Sequence, residues 1–342
     1  MQAPLLENIR KNLFEKRDRI SEWLHATPSS KKEVILGPST EQAVYARLDA
    51  IDDALSKADS KTLGRCKVCQ GQVEPALLEI DYSACVCIEH LSIEERRQLE
   101  SELQLAQSVQ KTLLPQEIPQ IPGLEIAAYS RPAQIVGGDY FDFIEFSSGL
   151  HGLAIADVAG HGISASLHMA SIQALLRTLV PGNKSPSAVM SQVHKLFIHN
   201  IRFDTFVTFF IGAFDSSTKT LTYCNAGHQP PLVLRNTGRK EDPAVLLRPT
   251  GAAIGLVENA EFGEKTVDLQ EGDLLVLYTD GVTEAMNIHN QEFGRQRLEA
   301  SIRQAQRLPV KEVIQKIRLG LEQFSEGKSF ADDTTMMVCR VA

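Results

Sequence analysis

The sequence predicts an α+β protein, a β-sandwich with helices on both outer faces, preceded by an α-helical hairpin that carries a small zinc ribbon. Three observations lead there. Beyond Leu124, short β-like runs are interrupted by helical blocks without a regular βαβ alternation. Residues 5–55 hold two amphipathic stretches on either side of a polar break. Four soft ligands follow the spacing C-x2-C-x17-C-x2-H from Cys66 to His90. The expected boundaries are 1–92 for the hairpin and zinc module, 93–115 for a linker helix and 116–342 for the sandwich.

A chain of 342 residues can bury about two cores, and 43% hydrophobic with 23% charged residues is ordinary for a globular protein. A formal net charge of -8 argues against broad nucleic-acid binding through phosphate neutralisation. No apolar run reaches the ~18 residues of a spanning helix, and Met1-Gln2-Ala3-Pro4 leads into charged residues rather than a signal core. A cytoplasmic protein without a membrane segment is expected. Six cysteines are too few for a disulfide scaffold, and the crowding of four between Cys66 and Cys87 favours a metal. Cys224 and Cys339 lie in β-like runs and read as buried apolar residues.

In the first stretch Leu6, Ile9, Leu13, Ile20 and Leu24 recur at helical spacing among Arg10, Lys11, Glu15 and Lys16. Residues 27–39, with Pro28, Gly37 and Pro38, break the helix, and Val44, Leu48, Ile51 and Leu55 resume it. Two such helices pack most simply as an antiparallel hairpin. Cys66, Cys69, Cys87 and His90 then offer two paired turns to one tetrahedral Zn2+, with Cys85 as a spare thiol. Residues 5–92 resemble the DksA/TraR zinc-finger proteins, which enter RNA polymerase with a coiled-coil hairpin and a cysteine-type zinc module. The fourth ligand is His90 instead of cysteine, and the loop Ser29-Ser30-Lys31-Lys32-Glu33 lacks an acidic cluster, so the resemblance carries over the zinc and the shape rather than the polymerase.

Ser92-Ile93-Glu94-Glu95 fits a capping box, which starts the linker helix. Leu99, Leu103, Ala106, Gln110 and Leu113 follow at steps of four and three, and Pro115, Pro119 and Pro122 stop it. The stripe suits a homodimer seam or packing on the chain's own sandwich. The polar Gln110 at a seam position favours a register-specific pairing.

In the sandwich region, strands are expected at 124–129, 140–146, 153–158, 206–214, 221–225, 231–235, 265–269, 274–279 and 335–341. Helices are expected at 165–180, 186–200, 293–305 and 310–324. Four Asp-bearing turns border these runs: Gly137-Gly138-Asp139, Asp157 to Gly162, Asp280-Gly281 and Asp332-Asp333. One carboxylate binds a divalent ion poorly, whereas several converging at one sandwich edge hold two ions with room for water.

From 96 to 342 the chain resembles the PPM (protein phosphatase 2C-like) metal-dependent Ser/Thr phosphatases, in their bacterial SpoIIE-type branch. The residues that carry the likeness are Leu105 to Pro115, Gly137-Gly138-Asp139-Tyr140-Phe141-Asp142, Asp157 to Gly162, Asn225-Ala226-Gly227-His228-Gln229-Pro230-Pro231, the Asp280 turn and Asp332-Asp333-Thr334-Thr335. The resemblance implies an α-β-β-α sandwich with two Mn2+ or Mg2+ ions at its edge. Asp157 would bridge them with the carbonyl of Val158 alongside, Asp280 and Asp332 would serve one ion, and Asp139 the other, directly or through water. It also implies, as substrate, a phosphorylated regulatory protein of the anti-sigma-factor-antagonist type.

Two cations sharing a water bring its pKa towards neutrality for direct attack on phosphorus, and the chain offers no phosphatase cysteine loop or P-loop as an alternative. His161 is either a proton shuttle or a histidine that shapes its turn. His228 reads as part of a rigid loop. Asp142 and Asp333 are expected to support the neighbouring ligands by hydrogen bonding, and Arg131 is a lone arginine that could meet a substrate phosphate. The alternative function is an RNA-polymerase-associated regulator that uses the hairpin and keeps the phosphatase fold as scaffold.

Overall fold

The computed structural model describes residues 10–11, 13–14, 17–18, 20–21, 24–25, 41–60, 62–73, 78, 85–160, 162–198, 206–236, 244–328 and 330–342. The chain divides into two compact units, Met1–Glu102 and Leu103–Ala342. The division falls inside the linker helix expected at 93–115.

In the first unit the described residues between 10 and 25 are helical, and helix α1 spans Glu41–Asp59. Arg10 meets Asp59 at 2.7 Å and Arg17 meets Asp52 at 2.6 Å, so seven residues forward on one segment are seven back on the other, an antiparallel contact. These exposed pairs fix direction more than stability. Leu13, Ile51, Ala54, Ala58 and Leu63 form the buried core together with Cys66, Val73 and Cys87.

Helix α2, Ile93–Leu113, opens with a complete capping box: the Ser92 N–H donates to Glu95 Oε2 at 2.9 Å and the Glu95 N–H to Ser92 Oγ at 3.2 Å. Leu99, Leu103, Ala106, Gln110 and Leu113 are the half-covered positions along it.

The second unit contains two five-stranded antiparallel sheets. One has the order β1 (Leu124–Arg131), β10 (Thr334–Val341), β9 (Leu274–Tyr278), β6 (Leu232–Leu234), β7 (Val245–Leu246). The other has the order β2 (Tyr140–Glu145), β3 (His151–Val158), β4 (Val207–Asp215), β5 (Thr220–Ala226), β8 (Lys265–Asp268). Period-two alternation sorts the side chains into layers. Phe141, Phe143, Leu153, Ile155, Phe210, Leu275, Leu277, Met337 and Cys339 fill the space between the sheets. Tyr140, Ile144, Ala154, Ala156 and Val158 face outward onto helices α3 (Gly162–Leu179) and α4 (Pro186–Ile198). On the other side Val276, Tyr278, Met336 and Val338 meet α6 (Gly294–Ala305) and α7 (Val310–Ser325). Each large apolar side chain buried this way contributes roughly 1.5–3 kcal/mol. The layers are α-β-β-α. Among the described residues no helix is long and apolar enough to cross a membrane.

The main departures from expectation are small. Val245–Leu246 forms a two-residue edge strand beside β6, too short to leave a periodic signal. The Asp280 turn is one turn of helix, α5 (Asp280–Thr283).

Candidate metal centre

Inner-face alternation carries the site residues to one edge. On β3 the series Leu153, Ile155, Asp157 shares the inner face, so Asp157 emerges where the apolar filling ends. On β9 the series Leu275, Leu277 continues to Thr279, and on β10 Met337 is preceded by Thr335. Thr279 Oγ1 donates to Asp139 Oδ2 at 2.8 Å and accepts the Thr335 N–H at 3.0 Å. This hydroxyl fixes the Asp139 carboxylate between the sheets. Asp139 and Thr279 are both almost fully buried.

The loop carrying Asp139 is held by Asp333. Its carboxylate accepts the N–H groups of Ala133 at 2.7 Å and Gly138 at 2.6 Å, with Asp139 at a longer 3.4 Å. The approach is so close that a Cβ on Gly137 would lie 2.2 Å from Asp333 Oδ2. A Cβ on Gly138 would lie 2.9 Å from the carbonyl of Val158, so the two glycines let this loop lie against both β3 and the Asp332-Asp333 turn. Gly281 has the same use: a Cβ there would lie 1.9 Å from the Asp333 carbonyl, so the Asp280 turn reaches the Asp332-Asp333 turn only through glycine.

The electrostatics record the convergence. Burial, then the charges of Asp280, Asp332, Asp333 and Glu284, push Asp157 up to about 8. Burial followed by Asp157 and Asp333 raises Asp139 well above the ordinary carboxylate range. Asp280 is raised by burial and by Asp332. Carboxylates drawn from four separate segments thus oppose one another's ionisation across one edge of the sandwich. Hard oxygen donors of this kind fit Mg2+ or Mn2+.

Asp142 departs from expectation. It faces outward with Tyr140 and Ile144, fully buried, where Arg177 of α3 grips it at 2.7 Å through Nε and 2.6 Å through Nη2. The Tyr140 hydroxyl also donates to it. It ties β2 to α3 and does not support Asp139, because alternation sends it to the other side of the sheet. His228 is buried, with Nδ1 2.9 Å from Thr208 Oγ1, and burial lowers it to about 4, which suits a neutral structural ring. His161 lies outside the described residues.

Thr279 and Glu284 have no place among the residues expected from sequence, and Thr335 enters only within the Asp332-Asp333-Thr334-Thr335 motif. Thr279 has a signal in the inner-face alternation Leu275, Leu277, Thr279, which it ends. Glu284 lies one helical turn beyond Asp280, its N–H donating to the Asp280 carbonyl at 2.7 Å.

In the first unit the ligand atoms of Cys66, Cys69, Cys87 and His90 all lie within 4.8 Å of one another, a set unmatched among the described residues. Cys87 Sγ is 2.9 Å from His90 Nδ1 and 3.8 Å from Cys69 Sγ. The N–H groups of Cys87 and Gly71 point at Cys66 Sγ and Cys69 Sγ, each at 3.4 Å. Backbone donation from Cys69 and Cys87 lowers Cys66 to about 6. The Cys85 thiol is not part of this set.

The layers are those of the protein phosphatase 2C fold. The chain belongs to the SpoIIE family: the family description, Stage II sporulation protein E (SpoIIE), matches residues 147–342, more than half of its length. Phosphoserine phosphatase RsbU of Bacillus subtilis is 29% identical over 245 residues, which cover 72% of this chain and 71% of the relative. Phosphoserine phosphatase RsbP of the same organism is 31% identical over 185 residues, 53% of this chain and 45% of the relative. The SiaA-PP2C domain of Pseudomonas aeruginosa matches in fold with a TM-score of 0.64 at 20% identity, covering 72% of this chain and 99% of the domain.

Proposed function

We propose that this chain is a metal-dependent phosphoprotein phosphatase that hydrolyses phosphoserine or phosphothreonine on a regulatory protein of the anti-sigma-factor-antagonist type. The observation that carries the reading is the convergence of Asp139, Asp157, Asp280 and Asp332 on one sandwich edge, where burial and mutual repulsion hold Asp157 near 8. The names of RsbU and RsbP, both phosphoserine phosphatases, agree with it.

Two bound Mn2+ or Mg2+ ions would supply charge neutralisation for the phosphoryl group and a water of lowered pKa as nucleophile. In this reading Asp157 and the Val158 carbonyl would be shared between the two ions, with Asp280 and Asp332 as ligands for one and Asp139 as the ligand for the other. Thr279 orients Asp139, and Asp333 fixes the loop that delivers it. His161 remains the candidate for proton transfer. Cys66, Cys69, Cys87 and His90 are assigned to one structural Zn2+, since thiolates with backbone N–H donors and an imidazole Nδ1 are soft tetrahedral ligands. The zinc module is assigned a regulatory role, and a homodimer through α2 belongs to the same reading. The polymerase alternative would use the hairpin, whose loop at 27–39 lies outside the described residues.

The test is Mn2+-dependent phosphate release from an aryl phosphate and from a phosphoserine peptide by the full chain. Turnover that Asp157→Ala abolishes is expected. Absence of turnover in the metal-loaded wild type overturns the enzyme reading.

A further inference from the structure

Among the described residues, three buried side-chain atoms lack a hydrogen-bond partner: His228 Nε2, Arg318 Nε and Thr334 Oγ1. Arg318 and Thr334 line the same small cavity, together with Tyr129, Arg131, Glu322 and Phe330. Its floor is the outer face at the end of the first sheet, where Arg131 of β1 pairs with Thr334 of β10, and its wall is the last turns of α7. Both guanidinium groups lie on aromatic faces: Arg318 is 4.3 Å from the Tyr129 ring centre and Arg131 is 5.6 Å from that of Phe330. Arg318 is only loosely paired with Glu322, at 3.7 Å. The Arg131 guanidinium makes no ion pair with the described residues and is exposed at the cavity mouth.

A buried donor left unpaired costs roughly 1–3 kcal/mol, and native proteins seldom leave two facing one space. An N–H, a hydroxyl and a second guanidinium around one cavity call for an acceptor that carries negative charge. The cavity holds about 10 Å³, room for about one oxygen-sized atom. Glu322 alongside would repel a dianion. These limits favour a carboxylate oxygen over a phosphate. The place is also specific: Thr334 directly follows Asp332 and Asp333, and Arg131 lies two residues before Ala133, whose N–H Asp333 holds.

We propose that this cavity is an anion subsite beside the candidate metal edge, taking one carboxylate oxygen from an acidic side chain of the phosphoprotein substrate. Arg131 supplies the charge at its mouth, while Thr334 and Arg318 donate from within. The assignment to a substrate rests on the phosphatase reading. The binding of a carboxylate does not.

The experiment uses the full chain without added metal and a set of unphosphorylated serine peptides with glutamate at each flanking position in turn, alanine elsewhere, followed by fluorescence anisotropy. At one flank, glutamate should tighten binding about tenfold over the all-alanine peptide. Arg131→Ala should abolish that preference and Thr334→Val should reduce it. Thr334→Val should also keep or raise the melting temperature, since it removes an unpaired buried hydroxyl. The same peptides phosphorylated, with Mn2+ present, should show the preference as a kcat/KM ratio that falls towards one in Arg131→Ala. No glutamate preference at any flank, or a preference that survives in both variants, overturns the subsite. Water alone in the cavity would give the first of these results. If no peptide is hydrolysed while the Arg131-dependent preference persists, the phosphatase reading fails and the subsite stands.

Discussion

The side-chain amide of Gln110 closes on both backbone polar groups of Gly137: its Nε2 donates to the Gly137 carbonyl and its Oε1 accepts the Gly137 N–H at 3.0 Å. Gly137 lies two residues before Asp139. A seam position that favoured pairing between copies is thus spent on the chain's own sandwich, clamping one end of the loop whose other end Asp333 holds.

Gln110→Ala removes both hydrogen bonds of that clamp, about 1–3 kcal/mol of support for the loop. The half-saturating Mn2+ concentration for phosphate release should rise about tenfold, with little change in the melting temperature of the metal-free protein, because Gln110 is only half covered. A Mn2+ titration identical to wild type would show that the clamp does not position Asp139.

Gly281→Ala is expected to be severe for its size. The new methyl group would be placed 1.9 Å from the Asp333 carbonyl, and backbone cannot move aside as a side chain tip can. Overpacking of this kind costs about 1–3 kcal/mol, and its relief separates Asp280 from Asp332. A lowered melting temperature together with weakened Mn2+ binding by calorimetry is the expected result; a normal affinity would mean that the two turns need not touch.

Asp142 and Arg177 give the contrasting case. Removing the arginine with Arg177→Met leaves a fully buried carboxylate with, among the described residues, the Tyr140 hydroxyl and the Phe143 N–H as its remaining donors. The Arg177 side chain is 49% exposed, which tempers the loss to about 2–3 kcal/mol. Chemical denaturation should show that loss, whereas Mn2+ affinity stays near wild type. A large fall in affinity would return Asp142 to the metal centre.

Much of the sandwich was legible because buried strands alternate and four of its helices carry long apolar stripes. Leu153-Ile155-Asp157 and Leu275-Leu277-Thr279 even point the polar end of each series at the site. The Ser92–Glu95 box was readable for a similar reason, since both partners lie within one turn. Asp142 lies close to Asp139 in sequence but not in space, because alternation sends it to the outer face of β2, where Arg177 holds it. The heptad stripe of α2 shows which face is covered, but periodicity carries no record of what covers it, so the sequence leaves a second copy and the chain's own sandwich both open and the contact of Gln110 with Gly137 has no signal in it. Arg318 and Thr334 had no signal, being on separate elements that only the packing of α7 on β10 brings together.

Zinc in the first unit is expected at about one ion per chain by elemental analysis. Cys66→Ser with Cys69→Ser should lose it and lower the cooperativity of unfolding, because Cys66 and Cys87 belong to the same buried cluster as Ile51, Ala54 and Leu63. Cys85→Ser should keep the ion, as that thiol lies outside the four-ligand set. Full zinc content in the double variant would overturn the assignment.

The carboxylate cluster makes stability depend on pH in a direction opposite to most paired acids. Asp157 stands at about 8 in the folded chain against 3.8 for an unperturbed aspartate, so folding favours its protonated form. That contribution is complete below about pH 4 and is lost as pH rises through 8, when the folded cluster must carry charge that the unfolded chain carries freely. Asp139 and Asp280 are raised in the same direction and add to the slope. The metal-free protein should therefore lose melting temperature between pH 5 and 8.5 more steeply than Asp157→Asn, which lacks the titrating group. Saturating Mn2+ should flatten the wild-type profile by compensating the ionised carboxylates, and its binding near pH 7 should release protons measurable as a buffer-dependent heat. A metal-free wild type whose profile matches that of Asp157→Asn would mean that Asp157 is already ionised at pH 5, and the mutual repulsion of the cluster would be refuted.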